Sequence, residues 1–203
     1  DDSVLHYGDI IRLNNGWNSS SRNPLTDPKY LDIDGGTFNG SDHNTYTSKQ
    51  AYSGTKWQVY GPSLSTRDFG RPVMNNDVIY LRNMARTGFL RASNTKNCKG
   101  KGYKVVNTNT YNAHSKFKIT NYRDDRSDQK VKINSRVHFF SGWAAAQNGG
   151  SDTDESYALI TCDWHNQRKG SLGISTWPRT RSEASNDGNA HWYINLVKAW
   201  STK

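Results

Sequence analysis

Long apolar runs are missing from this chain, and none approaches the roughly 20 residues that a helix needs to cross a bilayer. Amphipathic helical periodicity is missing as well, because Gly, Asn and Ser interrupt the 203 residues too often for an apolar stripe to persist. The five prolines stand in loop contexts such as Asn23-Pro24 and Gly61-Pro62. With only two cysteines, Cys98 and Cys162, a single disulfide is open but cannot be read from their positions. The six histidines are scattered, without a His-x-x-x-His pair, and no nucleophile elbow occurs, so no catalytic residue, metal or cofactor is expected. Asp1-Asp2-Ser3 lacks the charged-then-apolar pattern of a leader, and any signal peptide is expected to have been removed or never to have existed. Hydrophobic residues make up 33%, low for a large layered core but adequate where strands bury only alternate side chains.

What the chain does have is a motif written three times. Ile10-Ile11-Arg12-Leu13, Val78-Ile79-Tyr80-Leu81 and Arg136-Val137-His138-Phe139 align as first strands, followed two residues later by Asn15, Asn83 and Ser141. Tyr30-Leu31-Asp32-Ile33, Phe89-Leu90-Arg91-Ala92 and Trp143-Ala144-Ala145-Ala146 follow as second strands, and looser third pieces carry Tyr46, Tyr103 and Tyr157. Lys56-Trp57-Gln58-Val59, Lys116-Phe117-Lys118-Ile119 and His191-Trp192-Tyr193-Ile194 close the units. Val73 precedes Ile79 by the same distance that Val131 precedes Val137, so the linkers keep register too. The class is therefore all-β: one domain over 1–203, with repeats near 1–67, 68–126 and 127–203 and insertions near 16–28 and 163–188.

Three four-strand units, none able to close a core alone, resemble the β-trefoil, a barrel capped by hairpins. The openings Gly8-Asp9-Ile10-Ile11-Arg12-Leu13 and Asn76-Asp77-Val78-Ile79-Tyr80-Leu81, the aromatic-Leu strand and the Trp/Phe-x-hydrophobic close are similar to MIR-type and ricin-type trefoils. The ricin-type Gln-x-Trp signature is absent, with Thr55, Ser115 and Ala190 in the Gln positions, so ricin-type sugar contacts are not carried over. The resemblance implies binding of glycans or glycoproteins and a secreted location.

The residues point the same way. Aromatics make up 12%, and sugars are held by a flat aromatic face with a few placed amides and carboxylates. Two loops have that composition. The first offers Asp32, Asp34, Asn39, Asp42, His43 and Tyr46, and the second Gln147, Asn148, Asp152, Asp154 and Tyr157; they are aligned as equivalents, each placing Gly-Gly before Asp and then Tyr. Trp164 joins them from the third-repeat insertion, which also carries Trp177-Pro178-Arg179. Gly, Asn and Asp are equally the ordinary residues of tight turns, and Asp9 and Asp77 at strand starts read as architectural. Two sequons, at Asn18 and Asn39, are loop acceptors in a secreted protein.

Charge is uneven. From Val78 to Arg123 there are ten basic residues and no acidic one, and this segment accounts for the net charge of +9. Arg91, Lys96, Lys99, Lys101 and Lys104 are candidates for an anionic ligand such as a heparin-like glycan. Nucleic acid is disfavoured because aromatics are not interleaved with the basic residues. The expected function is a non-catalytic lectin. The other readings are the receptor-binding subunit of a toxin or multi-subunit complex, whose aromatic loops would meet a partner protein, and a heparin-binding or protease-inhibitor-like trefoil.

Overall fold

A computed structural model describes residues 3–17, 28–37, 41–164 and 171–201, with backbone only at Thr37, Asp163 and Trp164. Among these are twelve strands: β1 Ile10–Asn15, β2 Tyr30–Thr37, β3 His43–Ser48, β4 Trp57–Tyr60, β5 Val78–Asn83, β6 Phe89–Asn97, β7 Gly102–Thr108, β8 Phe117–Asn121, β9 Arg136–Ser141, β10 Tyr157–Trp164, β11 Leu172–Pro178 and β12 Trp192–Lys198. Two short helices accompany them, α1 at Gly142–Gln147 and α2 at Arg181–Ser185.

Six strands close on themselves. β1 pairs β4, β4 pairs β5, β5 pairs β8, β8 pairs β9, β9 pairs β12, and β12 returns to β1, all antiparallel. The remaining six form three hairpins, β2–β3, β6–β7 and β10–β11, whose inner strands pair cyclically across the open end of the barrel. Closure leaves few strand edges unpaired, which matters for strands this short.

The repeat positions become the core. Ile11, Ile79 and Val137, then Leu13, Leu81 and Phe139, then Leu31, Leu90 and Leu159, are all fully or almost fully buried in one cluster with Trp57, Phe117 and Trp192. Each such side chain contributes about 1.5–3 kcal/mol by burial. The closing Trp residues also reach inward, Trp57 Nε1 donating to the Leu31 carbonyl at 3.1 Å and Trp192 Nε1 to the Leu159 carbonyl at 2.9 Å. The other end of the barrel is sealed by a three-way ring. Leu5 N donates to Val131 O, Val131 N to Val73 O and Val73 N to Leu5 O, at 2.8, 2.9 and 2.8 Å.

Each repeat enters its first strand through the same turn. Gly8, Asn76 and Asn134 have φ of 91°, 74° and 59°, the left-handed region that Gly and Asn tolerate best. The next residue ties the turn: Asp9 accepts from His6 N, Asp77 accepts from Met74 N, both at 2.8 Å, and Ser135 Oγ donates to Lys132 O at 2.6 Å. The recurring Gly/Asn-Asp pair is therefore turn chemistry, as is Asn-Ser in its place in the third repeat.

The third repeat departs from the expected alignment. Trp143-Ala144-Ala145-Ala146, expected as its second strand, lies in α1, because Ala favours helix and Ser141 caps it by accepting from Ala144 N at 3.2 Å. Tyr157 consequently begins the second strand, β10, whereas Tyr46 and Tyr103 lie on third strands. The stretch 163–188, expected as an insertion, contains β11, the repeat's own third strand, together with α2.

Candidate functional site

The pseudo-threefold arrangement places a cleft beside each second strand, floored by the 3-10 turn that precedes the closing strand. In the first repeat that turn is Ser53–Thr55, in the second Ala113–Ser115 and in the third Gly188–Ala190. Across each cleft stands the segment just after the first strand of a repeat, held by Asn83, Ser141 or Asn15. Asn83 Oδ1 accepts from Ala85 N, Asn15 Oδ1 from Trp17 N and Ser141 Oγ from Ala144 N; Ala85, Trp17 and Trp143 each stand two residues after the capping side chain.

The cleft between the first and second repeats is open. About 350 Å³ in volume, it is lined by Asp32, Ile33, Gly35, Tyr46, Tyr52, Ser53, Gly54, Ala85 and Arg86. Asp32 and Tyr46 are direct cross-strand partners and both are buried, so their polar groups are fixed by the hairpin itself. Ile33 N donates to Asp32 Oδ1 at 2.8 Å. Gly54 allows the carboxylate to lie close against the 3-10 turn, since a Cβ there would collide with Asp32 Oδ1. Arg86 reaches over from the β5–β6 connection, its Nη2 3.5 Å from where a Cβ on Gly35 would stand. Tyr52 is half exposed at the lip. A buried carboxylate, an arginine fork and an exposed phenol ring converge on one shallow cavity.

The equivalent cleft between the second and third repeats is filled from within. Trp143 of α1 takes the place of Ala85 and stacks on His114 of the 3-10 turn, with ring centroids 4.0 Å apart and planes 22° apart. His114 Nδ1 lies 3.1 Å from the Ala92 carbonyl, and burial lowers the pKa of the ring. Tyr103 packs edge-on to Trp143 at 4.9 Å, and Lys96 Nζ sits 3.8 Å from the Tyr103 centroid. At the position of Asp32 this repeat has Arg91, opposite Val106, and the third repeat has Ile160, opposite Ser175.

The expected site residues are thus divided. Asp32 and Tyr46 line the open cleft. Asp34 accepts from Gly36 N at 3.2 Å and His43 Nδ1 lies 3.0 Å from Gly36 O, so both serve the hairpin turn, while Asp42 is buried at the start of β3. Asn39 and the other sequon asparagine, Asn18, lie outside the described residues, as does the Trp164 side chain. The second loop is not the counterpart of the first, because it joins α1 to β10 rather than one hairpin strand to the next. There Gln147 and Asp152 are exposed, Asn148 Nδ2 caps α1 by donating to Ala144 O at 2.7 Å, Asp154 accepts from Ser151 N at 2.8 Å, and Tyr157 packs toward Tyr103. Turn and cap chemistry thus accounts for Asn148 and Asp154. Of the basic candidates, Arg91 and Lys104 are half-buried on strands, burial lowers the Lys104 pKa, and Lys96 is engaged by Tyr103. Lys99 and Lys101 stand together in the exposed β6–β7 turn. In the sequence Arg86 reads only as one of the ten basic residues of its segment, and the one sign of Tyr52 is an aromatic four residues before Lys56.

The twelve strands, the closed six-strand barrel and the cyclic hairpin cap decide the architecture. The chain is a β-trefoil. Comparison with solved structures agrees: an SDF2-like protein from Arabidopsis thaliana superposes with a TM-score of 0.68 at 16% identity, covering 96% of this chain and 99% of that one. The Saccharomyces cerevisiae protein O-mannosyltransferase Pmt1–Pmt2 complex gives 0.68 at 10% identity over 95% of this trefoil and 25% of that chain. A ricin B-like lectin from Macrolepiota procera, in complex with lactose, gives 0.50 at 13% identity over 94% and 97%. No family model and no curated protein matches the trefoil.

Proposed function

We propose that this trefoil is a non-catalytic carbohydrate-binding protein whose working site is the open cleft between its first and second repeats. The observation that carries the proposal is the convergence there of Asp32, Arg86 and the half-exposed Tyr52 around one shallow cavity. A guanidinium donates to ring or hydroxyl oxygens and a phenol ring covers the C–H face, while the buried Asp32 carboxylate, held by Ile33 N, gives the cleft floor its negative charge. Asp32 is the single carboxylate among the lining residues, where glycoside hydrolysis uses a pair. The lactose complex of the ricin B-like lectin shows that a protein of similar fold takes a sugar.

The disulfide between Cys98 and Cys162 supports an oxidising compartment, consistent with a secreted protein that meets glycoproteins outside the cell. A glycan array tests the proposal, run with the natural sequence and with Asp32→Asn and Arg86→Ala. The expected outcome is a defined set of bound saccharides that either variant weakens at least about tenfold, the size of one charge-assisted hydrogen bond. Failure to retain any saccharide, or retention that both variants leave unchanged, rules the site out.

A further inference from the structure

The cleft of the third repeat is chemically unlike the first, and it draws Lys99 and Lys101 from the basic segment. About 210 Å³ in volume, it is floored by Ile160, Thr161 and the Cys98–Cys162 disulfide and walled by Lys99, Trp177, Arg179, Asp187 and Asn189. Two cations stand close to the half-buried indole of Trp177, Arg179 Cζ at 5.5 Å and Lys101 Nζ at 5.9 Å from the ring centroid. Asp187 is the only carboxylate among the described lining residues, and it is already engaged, accepting from Arg179 Nε at 3.2 Å and from Asn189 N at 3.0 Å. Asn189 is itself positioned, its Oδ1 accepting from Thr161 Oγ1 at 2.8 Å. With Arg179 and Asp187 paired, Lys99 and Lys101 leave the cleft positive, with an indole in its wall.

The basic rim does not belong to the third repeat. Lys99 and Lys101 come from the β6–β7 turn of the second, and the disulfide fastens that turn to β10, with the two Cα atoms 5.8 Å apart. The turn itself runs through consecutive left-handed residues, Cys98, Lys99 and Gly100, with φ of 53°, 57° and 78°, and is closed by Lys101 N donating to Cys98 O at 3.2 Å. Left-handed backbone is disfavoured for Cys and Lys and persists where surrounding structure fixes it, and the cross-link at Cys98 and the Lys101 N–Cys98 O bond are restraints on this turn.

We infer that this cleft is a second binding site, for a sulfated or carboxylated saccharide, and that the Cys98–Cys162 disulfide positions its cationic rim. The anionic group meets Lys99, Lys101 and Arg179, and the sugar ring lies toward Trp177. Because the first cleft shares none of these residues, the site stands whether or not the first one binds sugar.

The test is a titration of the oxidised chain with a heparin-derived tetrasaccharide, followed by the indole N–H signals in proton–nitrogen correlation spectra, with Trp177→Phe used to assign Trp177. The Trp177 signal is expected to move. Affinity is expected to fall about tenfold in Lys99→Gln/Lys101→Gln, to change little in the charge-matched control Lys49→Gln/Lys198→Gln, and to be unaffected by Arg86→Ala. Reduction, or Cys98→Ser/Cys162→Ser, is expected to reproduce the loss shown by the lysine pair. A stationary Trp177 signal, or equal weakening by both lysine pairs, overturns the site and leaves only diffuse attraction to a basic protein. Competition by inorganic sulfate alone at matched ionic strength overturns saccharide recognition. Undiminished binding by the reduced chain, with the lysine variant still weakened, overturns the role of the disulfide.

Discussion

A histidine with no exposed surface must give up its hydration before it can carry a charge, and His138 is such a residue. It lies on β9 with Nδ1 3.4 Å from Thr120 Oγ1, its ring 5.5 Å from that of His191 and 5.9 Å from that of Tyr122. Burial is the main reason its pKa falls from 6.5 to about 3, and the nearby charges of His191, Arg181 and Arg136 push the same way. His191 is lowered too, again chiefly by burial. A folded pKa below the unfolded one means that the unfolded chain takes up the proton first. The contribution of His138 is therefore complete above about pH 6.5, declines as the pH falls, and stops changing near pH 3. Between pH 7.5 and pH 5 the loss from this group amounts to about 2 kcal/mol. Urea unfolding at the two pH values should show it, and His138→Gln should flatten the difference. An unchanged pH slope in that variant would assign the effect to other groups.

Among the elements, legibility followed the physics of each position. The first and last strands of every repeat were readable because their inward residues, from Ile11 and Leu13 to Trp192 and Ile194, have to be apolar in all three copies to fill one shared core. Of the link residues, Val73 and Val131 were visible from their spacing, and Leu5, six residues before Ile11, completes their ring. The segment after β9 misled, since Trp143 and three alanines fit a second-strand slot only if alternation is ignored. Ala preference and the Ser141 cap decide for helix. The open cleft was half legible: Asp32 and Tyr46 share one hairpin, but Arg86 arrives from the next repeat and Tyr52 from a turn, a convergence that only the closed barrel creates. Ser141→Ala tests the helix, since it removes the acceptor for Ala144 N at the start of α1. Thermal unfolding should show a loss of about 1 kcal/mol. Because α1 carries the Trp143 ring that fills the second cleft, the His114 ring signals should shift in the same variant.

At the scale of the whole molecule, three devices hold the repeats together, and they act on different parts. The six-strand barrel and the ring of Leu5, Val73 and Val131 bind all three repeats through backbone hydrogen bonds and shared core. The disulfide instead joins two hairpins of the cap, where β7 and β11 already pair at Lys104 and Ser175. Its removal therefore leaves barrel closure intact and acts mainly on the unfolded chain, which loses a cross-link spanning 64 residues. Chain entropy puts that at about 4 kcal/mol. For a domain of this length the midpoint should drop by on the order of 10 °C. The fold should survive, so calorimetry of the reduced chain should record one cooperative transition at lower temperature, with strand content by circular dichroism unchanged below it. Two separated transitions would show that the third repeat depends on the disulfide for its place in the barrel, and would contradict the division of labour drawn from the strand pairing. An unmoved midpoint would mean that the unfolded chain keeps the two hairpins together without the bond.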